Sequence, residues 1–514
     1  MEHTSSTGTT TDAESLWRQT GPTVASDPRP ADGARFDTCV IGGGIVGTTV
    51  ALLQAQRGRS VLLLERDRIG GGVTGATTGK VSLLHSIRYA SLAGSHDRQR
   101  MEAYVALQQA GFELARDWAA EIPGSWETRD AVIYVRDSAS TGRIEDEGET
   151  LRGLGVPVRP APGVDVGDGF AAGLVLVDQG KLHPVRYLAG LAAEARRHGA
   201  VIVTGTPVVA LRRGDGAHRL ALEDGSHVEA EHVVVATHAP IFDRGAHFAL
   251  QEAVRSYAVA VPVDAEPTQM TYCDDDPQRS VIGFTDGDDS YAVVGGEGHP
   301  AGRSTAAGRF ERLADWGREH LGARGPAAYR WSSQDLVPVD GLPLIGAYTP
   351  VTRRLWTATG FAKWGLAAGT GAAAALDAAI AGEDAPATQI LRPWRPTVRA
   401  SAVDLVKNNA IVQRHLIGDR LHTLVRGGTP DAPLGRGEGR VERIGGRAVA
   451  VARDTDGVLH RRSATCTHIG CEVRFNPDEQ SWDCPCHGSR FAVDGTVLEG
   501  PAVRPLADVE EGGG

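Results

Sequence analysis

Near the C-terminus, cysteine and histidine recur at a spacing that suits metal chemistry. Cys466-Thr467-His468-Ile469-Gly470-Cys471 is followed, after a gap of fifteen residues beyond His468, by Cys484-Pro485-Cys486-His487-Gly488-Ser489. The pattern is C-x-H, a spacer, then C-x-x-H. Two thiolates and two imidazoles brought from two loops suit zinc, or an iron–sulfur cluster with both imidazoles on one iron. Cys471 and Cys486 raise the candidates to six, whereas a structural zinc site takes four. Each extra cysteine stands beside a ligand loop, so the pair could also join the two loops as a disulfide.

A second chemical motif lies near the other end. Phe36 to Ile41 reads as a short buried strand and runs into Gly42-Gly43-Gly44-Ile45-Val46-Gly47. An apolar helix over 48–57 and a second apolar strand over 60–64 follow, ending on Glu65, 18 residues after Gly47. In such a βαβ unit, G-x-G-x-x-G cradles a dinucleotide. Gly42 permits the tight turn, Gly44 lets backbone approach a pyrophosphate at the helix N-terminus, and Gly47 lets helix and strand pack closely. Glu65 can accept from a ribose hydroxyl, which disfavours a 2′-phosphate. The unit alone suits FAD and NAD equally.

The two C-terminal loops resemble those of Rieske iron–sulfur proteins. The resemblance implies a [2Fe–2S] cluster with Cys466 and Cys484 on one iron, His468 and His487 on the other, and a Cys471–Cys486 disulfide beside it. Ser489 matches a family serine that donates to a bridging sulfide. Phe491 stands where high-potential members carry a tyrosine that bonds a ligand sulfur. Losing that donor implies a lower reduction potential, because fewer hydrogen bonds stabilise the reduced cluster.

The Gly/Thr loop from Arg66 to Lys80 resembles the FAD loop of the D-amino-acid-oxidase superfamily. The resemblance makes Arg66, Thr74, Thr77 and Thr78 FAD contacts and places the backbone of Val208 at the adenine. The strand Val233 to Val235 resembles a nucleotide-side strand of that superfamily, and the turn after it carries His238. Asp340-Gly341-Leu342-Pro343-Leu344-Ile345-Gly346 and Gly360-Phe361-Ala362-Lys363-Trp364-Gly365 resemble its C-terminal FAD segment, with Gly341, Gly365 and Leu366 at the cofactor. A helix starting at Gly365-Leu366 would aim its positive end at the flavin N1–C2=O edge. Covalent-flavin members carry a His or Cys near the first loop, and residues 70–79 contain neither, so FAD is expected to bind non-covalently.

These sites need elements to hold them. Apolar stripes predict helices over 98–122 and 185–198, the latter with Pro184 at its first position. Alternation over 256–263, 281–284 and 291–295 predicts an antiparallel sheet roofing the flavin. Arg255, Tyr257, Tyr272, Arg279 and His299 lie on or near it, and Arg279 or Arg255 could clamp a substrate carboxylate. Weak catalytic candidates are Lys363, Arg279 and Tyr257; no base stands out. The expected fold is α/β plus all-β: a Rossmann-type FAD-binding domain interleaved with an antiparallel-sheet substrate subdomain over 34–395, and a small β-sandwich Rieske domain over 435–514. Residues 1–33, rich in Ser, Thr, Pro and Gly, read as a mobile arm. Residues 396–434 read as a linker with a helix over 402–421.

At 514 residues and 41% hydrophobic content the chain can bury two or three cores. With 53 basic against 64 acidic residues, net −11, nothing points to nucleic acid or an anionic membrane. No secretory signal or membrane-spanning run is expected, and the setting reads as cytoplasmic. Cys39 and Cys273 read as buried small hydrophobes. Together the two resemblances imply an oxidoreductase: a substrate C–H beside an amine or hydroxyl is oxidised, and electrons pass from flavin through the cluster to an external acceptor. The alternatives are flow from a ferredoxin-like donor through the cluster to the flavin, and a non-catalytic redox module or sensor. The sequence offers no 2-His-1-carboxylate iron site for a Rieske oxygenase.

Overall fold

The computed structural model describes residues 14–214, 216–245, 247–396 and 433–509. The helix expected over 402–421 lies outside them. Among the described residues, the strand Arg35–Ile41 sits inside a sheet between Val61–Leu64 and His227–Val235, parallel to both. A parallel strand covered on both faces must be apolar throughout, and all four residues of Val61–Leu64 are buried. The path continues through Leu355–Thr359 and Leu344–Ala347 on one side and Val201–Val203 on the other. The helices Ile45–Gln56 and Gly365–Ala381 pack beside this sheet, with Arg98–Ala120 packed against Gly365–Ala381. The last two meet backbone to backbone: a Cβ on Gly111 would lie 1.9 Å from the Ala367 carbonyl oxygen.

A second sheet runs through Tyr329–Pro338, Gln251–Pro262, Asp289–Pro300, Arg279–Asp286, Met270–Cys273, Trp126–Val135, Ala172–Leu182 and Lys80–Val81 in that order. It contains the expected roof strands but is not purely antiparallel. Met270–Cys273 runs parallel to Trp126–Val135, because more than 130 residues of chain, rather than a hairpin, join them. The C-terminal part is all β. A three-stranded sheet (Glu438–Ile444, Arg447–Arg453, Leu459–Ser463) faces a four-stranded one (Arg474–Asn476, Ser481–Asp483, Arg490–Ala492, Val497–Glu499).

The expectation of a mobile arm up to residue 33 fails for residues 14–33. Leu16–Thr20 forms a short helix capped by Ser15, with Leu16 and Trp17 fully buried in the main core. Two large side chains outweigh the polar composition around them. No helix among the described residues is long and apolar enough to cross a membrane.

Candidate functional site

The glycine motif forms one wall of a cleft of about 1650 Å³. Glycine is required here sterically: a Cβ on Gly42, at φ 107°, would lie 2.5 Å from the Ala236 carbonyl oxygen, and one on Gly47 1.9 Å from the Gly42 oxygen. At Gly44 a Cβ would meet only the Thr74 hydroxyl, at 3.2 Å, so its backbone is open to the cleft. Thr74 Oγ1 accepts from Ile45 N at 3.0 Å, fixing the loop to the helix N-terminus. Glu65 accepts from Gly43 N at 2.7 Å and Asp67 N at 2.8 Å; burial is the main influence on its carboxyl, whose pKa is raised. Arg66, Thr77, Thr78, Val208, Gly365 and Leu366 also line the cleft. Gly47 lies beneath it, in the packing role its position implies. Gly341 stands outside the cleft lining: its carbonyl accepts from Arg88, and a Cβ there would meet Leu92 at 2.7 Å. Its positive φ of 76° serves a turn instead.

Three non-glycine residues with left-handed backbone line one side of the cleft: His238, Ala362 and Lys363, at φ 61°, 48° and 77°. Burial raises the Asp335 carboxyl pKa, against the opposing pull of the Lys363 ammonium, His238 and the Lys363 backbone N–H. Lys363 lies just before the helix Gly365–Ala381, whose first residues have no side-chain cap. The other cleft lysine, Lys80, is half-buried with Nζ donating to the Thr271 carbonyl at 2.6 Å, and desolvation pulls its pKa down to about 7.

At the opposite end, the Cys466 and Cys484 thiols share a hydrogen bond, which lowers Cys466 to about 7 and raises Cys484. The Cys466 sulfur also accepts from the backbone of His468 and Ile469 and from Ser489. The His468 and His487 rings lie 5.1 Å apart, nearly perpendicular. His487 Nδ1 is buried with no hydrogen-bond partner, the state of an imidazole nitrogen awaiting a Lewis acid. Cys471 and Cys486 form a disulfide that joins the two loops. Cys39 and Cys273 are buried and unbonded.

Residues 37–379 match the FAD dependent oxidoreductase family model, and residues 429–510 match the Rieske [2Fe-2S] domain. The chain belongs to the FAD-dependent oxidoreductase family. Its C-terminal part is a Rieske domain, and the two cofactors are FAD and a [2Fe–2S] cluster. The Rieske 2Fe-2S iron-sulfur protein YhfW of Bacillus subtilis is 29% identical over 505 residues, 97% of each chain. Two solved structures share the fold of the FAD part. L-proline dehydrogenase from P. horikoshii has a TM-score of 0.59 and 19% identity, covering 71% of this chain and 98% of its own. Glycine oxidase from Geobacillus kaustophilus has a TM-score of 0.56 and 20% identity, covering 68% and 96%.

In this oxidoreductase the Rieske domain closes part of the cleft. The turn between Arg474–Asn476 and Ser481–Asp483 presses onto the roof sheet, and Glu479 meets Arg255 Nε at 2.8 Å and Arg490 Nη2 at 2.9 Å. Glu499 accepts from Arg255 Nη1 at 2.9 Å, and Asp483 from Arg490 Nε at 3.0 Å. Burial alone would lower Arg255, but Glu479 and Glu499 outweigh it and hold the guanidinium well above its usual range. Tyr257 donates to Glu479 at 3.2 Å, and Arg309 pairs with Asp478 at 2.7 Å.

This arrangement redirects several sequence expectations. Arg255 binds the Rieske domain, and Arg279 pairs with Glu297 at 2.8 Å, so both proposed carboxylate clamps are engaged. The Tyr257 hydroxyl is likewise taken by the interface. Tyr272 remains in the cleft beside Trp364, while His299 stacks on Tyr257. Phe248 and Glu479, which join the two cofactor regions, were not singled out by any local motif.

Proposed function

We propose that the chain oxidises a small amine- or amino-acid-like substrate in the FAD cleft and passes the electrons internally to the Rieske cluster, for delivery to an external acceptor. Cys466 and Cys484 hold one iron in this reading, and His468 and His487 the other. Gly42, Gly44, Glu65, the 70–79 loop, Val208 and the start of Gly365–Ala381 hold FAD. When bound, FAD supplies a two-electron hydride acceptor and the cluster a one-electron carrier.

One observation carries the proposal. Ala239 and Leu336 line both the FAD cleft and the small space against His487, so a single layer of side chains separates the two cofactor regions. Around that layer, Gln334 Nε2 donates to the Gly488 carbonyl at 2.9 Å, and Phe248 packs on both cluster-loop histidines. The two imidazole rings thereby face the flavin domain.

The amine class rests on the kinship of fold with the amino-acid-directed structures named above, together with the cleft's own chemistry. The half-buried Lys80 amine, partnered by a neutral carbonyl, can accept a proton near neutrality, and Lys363 can offset a substrate's negative charge while Arg255 and Arg279 are engaged. Anaerobic mixing of the purified protein with a panel of amino acids and secondary amines tests the reading. Bleaching of flavin and cluster absorption by one member supports it. Bleaching by dithionite alone, with no response to the panel, overturns it.

A further inference from the structure

The segment before the family match at residue 37 is built into the FAD loop. Ser15 Oγ donates to the Gly75 carbonyl, and Trp17 Nε1 to the Thr77 carbonyl at 2.6 Å. Arg18 reaches three more: Nε to Gly70 at 3.4 Å, and Nη2 to Gly71 and to Gly72 at 2.8 Å. Three nearly consecutive side chains thus hold five carbonyls of one loop. The indole of Trp17 anchors them, edge-on to Phe284 with centroids 5.0 Å apart. The same loop carries Thr74, bonded to the helix N-terminus at Ile45.

Arg18 also lines the cleft with Gly44 and Thr74. Its side chain donates to neutral carbonyls, while nearby Glu14 is taken by Arg68 and Gln19. Burial, and then the charge of Arg68, lower the Arg18 pKa. A guanidinium so placed has poorly compensated charge and faces a cleft whose glycine wall and helix N-terminus suit a diphosphate.

We infer that residues 14–20 form a strap that retains FAD, with Arg18 as a counter-ion to the cofactor's diphosphate and Trp17 as the anchor that keeps the 70–77 loop closed over it. The inference rests on FAD being the resident cofactor and not on the direction of electron flow. It assigns a binding role to a segment outside both family matches.

The test follows FAD release from holoprotein, with no substrate present, as the rise in free-flavin fluorescence after dilution. Arg18→Gln is expected to release FAD about tenfold faster or more, while cluster absorption and far-UV circular dichroism stay unchanged. Arg18→Lys, which keeps the charge and loses the fork, is expected to fall between Arg18→Gln and wild type. Trp17→Ala is expected to release FAD faster in both charge backgrounds. Release from Arg18→Gln at the wild-type rate overturns the counter-ion role. Equal release from Arg18→Gln and Arg18→Lys also overturns it. Because the readout involves neither turnover nor the cluster, its failure leaves the electron-transfer reading intact.

Discussion

Phe248 of the flavin domain lies against His487 of the second cluster loop, with ring centroids 4.5 Å apart and planes at 66°. The same ring meets His468 at 5.1 Å and 84°. One aromatic side chain therefore packs both imidazoles against the domain that binds FAD, and in the proposed function the docking of the two domains is part of the electron path.

Phe248→Ala removes this seal. Lost apolar burial and aromatic contact should weaken docking locally by about 1–3 kcal/mol. Hydrogen exchange in the 484–488 loop should rise, and electron transfer between flavin and cluster should slow, while the absorption of each cofactor is retained. Phe248→Leu keeps much of the packing and should stay near wild type. Mass-spectrometric hydrogen exchange and stopped-flow absorbance check the pair.

Glu479 is the anchor of the interface. Its carboxylate is nearly fully buried between Arg255 and Arg490, also buried. Glu479→Gln leaves two cations facing each other with less compensation, and breaking such a buried network costs roughly 3–5 kcal/mol. Calorimetry should show the loss. Exchange protection should fall in both Gln251–Pro262 and Arg490–Ala492, since the network holds both.

The same network fixes the response to acid. Burial tends to raise Glu499, but Arg255 and Arg490 outweigh it and hold the carboxyl down to about 2; the same two guanidiniums hold Glu479 well below the usual carboxylate range. An unfolded glutamate titrates near ~4.3. With folded values depressed, the contribution is complete above the unfolded value and is lost as pH falls from there toward about 2. Urea midpoints should be insensitive to this network between pH 7 and 5 and drop steeply below pH 4. Glu499→Gln should flatten that drop. Because Glu479, Arg255 and Arg490 are buried and Glu499 is half-buried against them, added salt should alter the drop less than it would for surface pairs.

Phe491 is fully buried, opposite Trp482 in the cluster-bearing sheet. Restoring a hydroxyl with Phe491→Tyr should raise the cluster's reduction potential by supplying a donor to a ligand sulfur. Spectroelectrochemical titration checks this. An unchanged potential would mean that the hydroxyl does not reach sulfur in this domain.

The parts legible in the sequence are those whose chemistry is written in local spacing. The cluster loops and the glycine motif each span a few dozen residues at most, and in the glycine motif the structure supplies a steric reason at Gly42 and Gly47. The interface was not legible, because its partners are remote: Arg255 and Glu479 are separated by 224 positions. A guanidinium in the roof sheet reads equally well as a substrate clamp and as an interdomain ion pair until the second domain is placed. The N-terminal segment misled through composition: Leu16 and Trp17 are two apolar residues among many polar ones, yet both have no exposed surface. Gly341 shows why a motif cannot separate two roles: a positive-φ glycine there serves a turn outside the cleft lining.

In the proposed function, electrons pass between flavin and cluster inside one molecule. The direct measurement is anaerobic photoreduction of the flavin in holoprotein, followed by rapid-freeze electron paramagnetic resonance of the reduced cluster at several protein concentrations. Transfer within one molecule predicts a cluster signal that grows as flavin absorption recovers, at a rate independent of protein concentration. A cluster that stays oxidised, or a rate proportional to protein concentration, would contradict it.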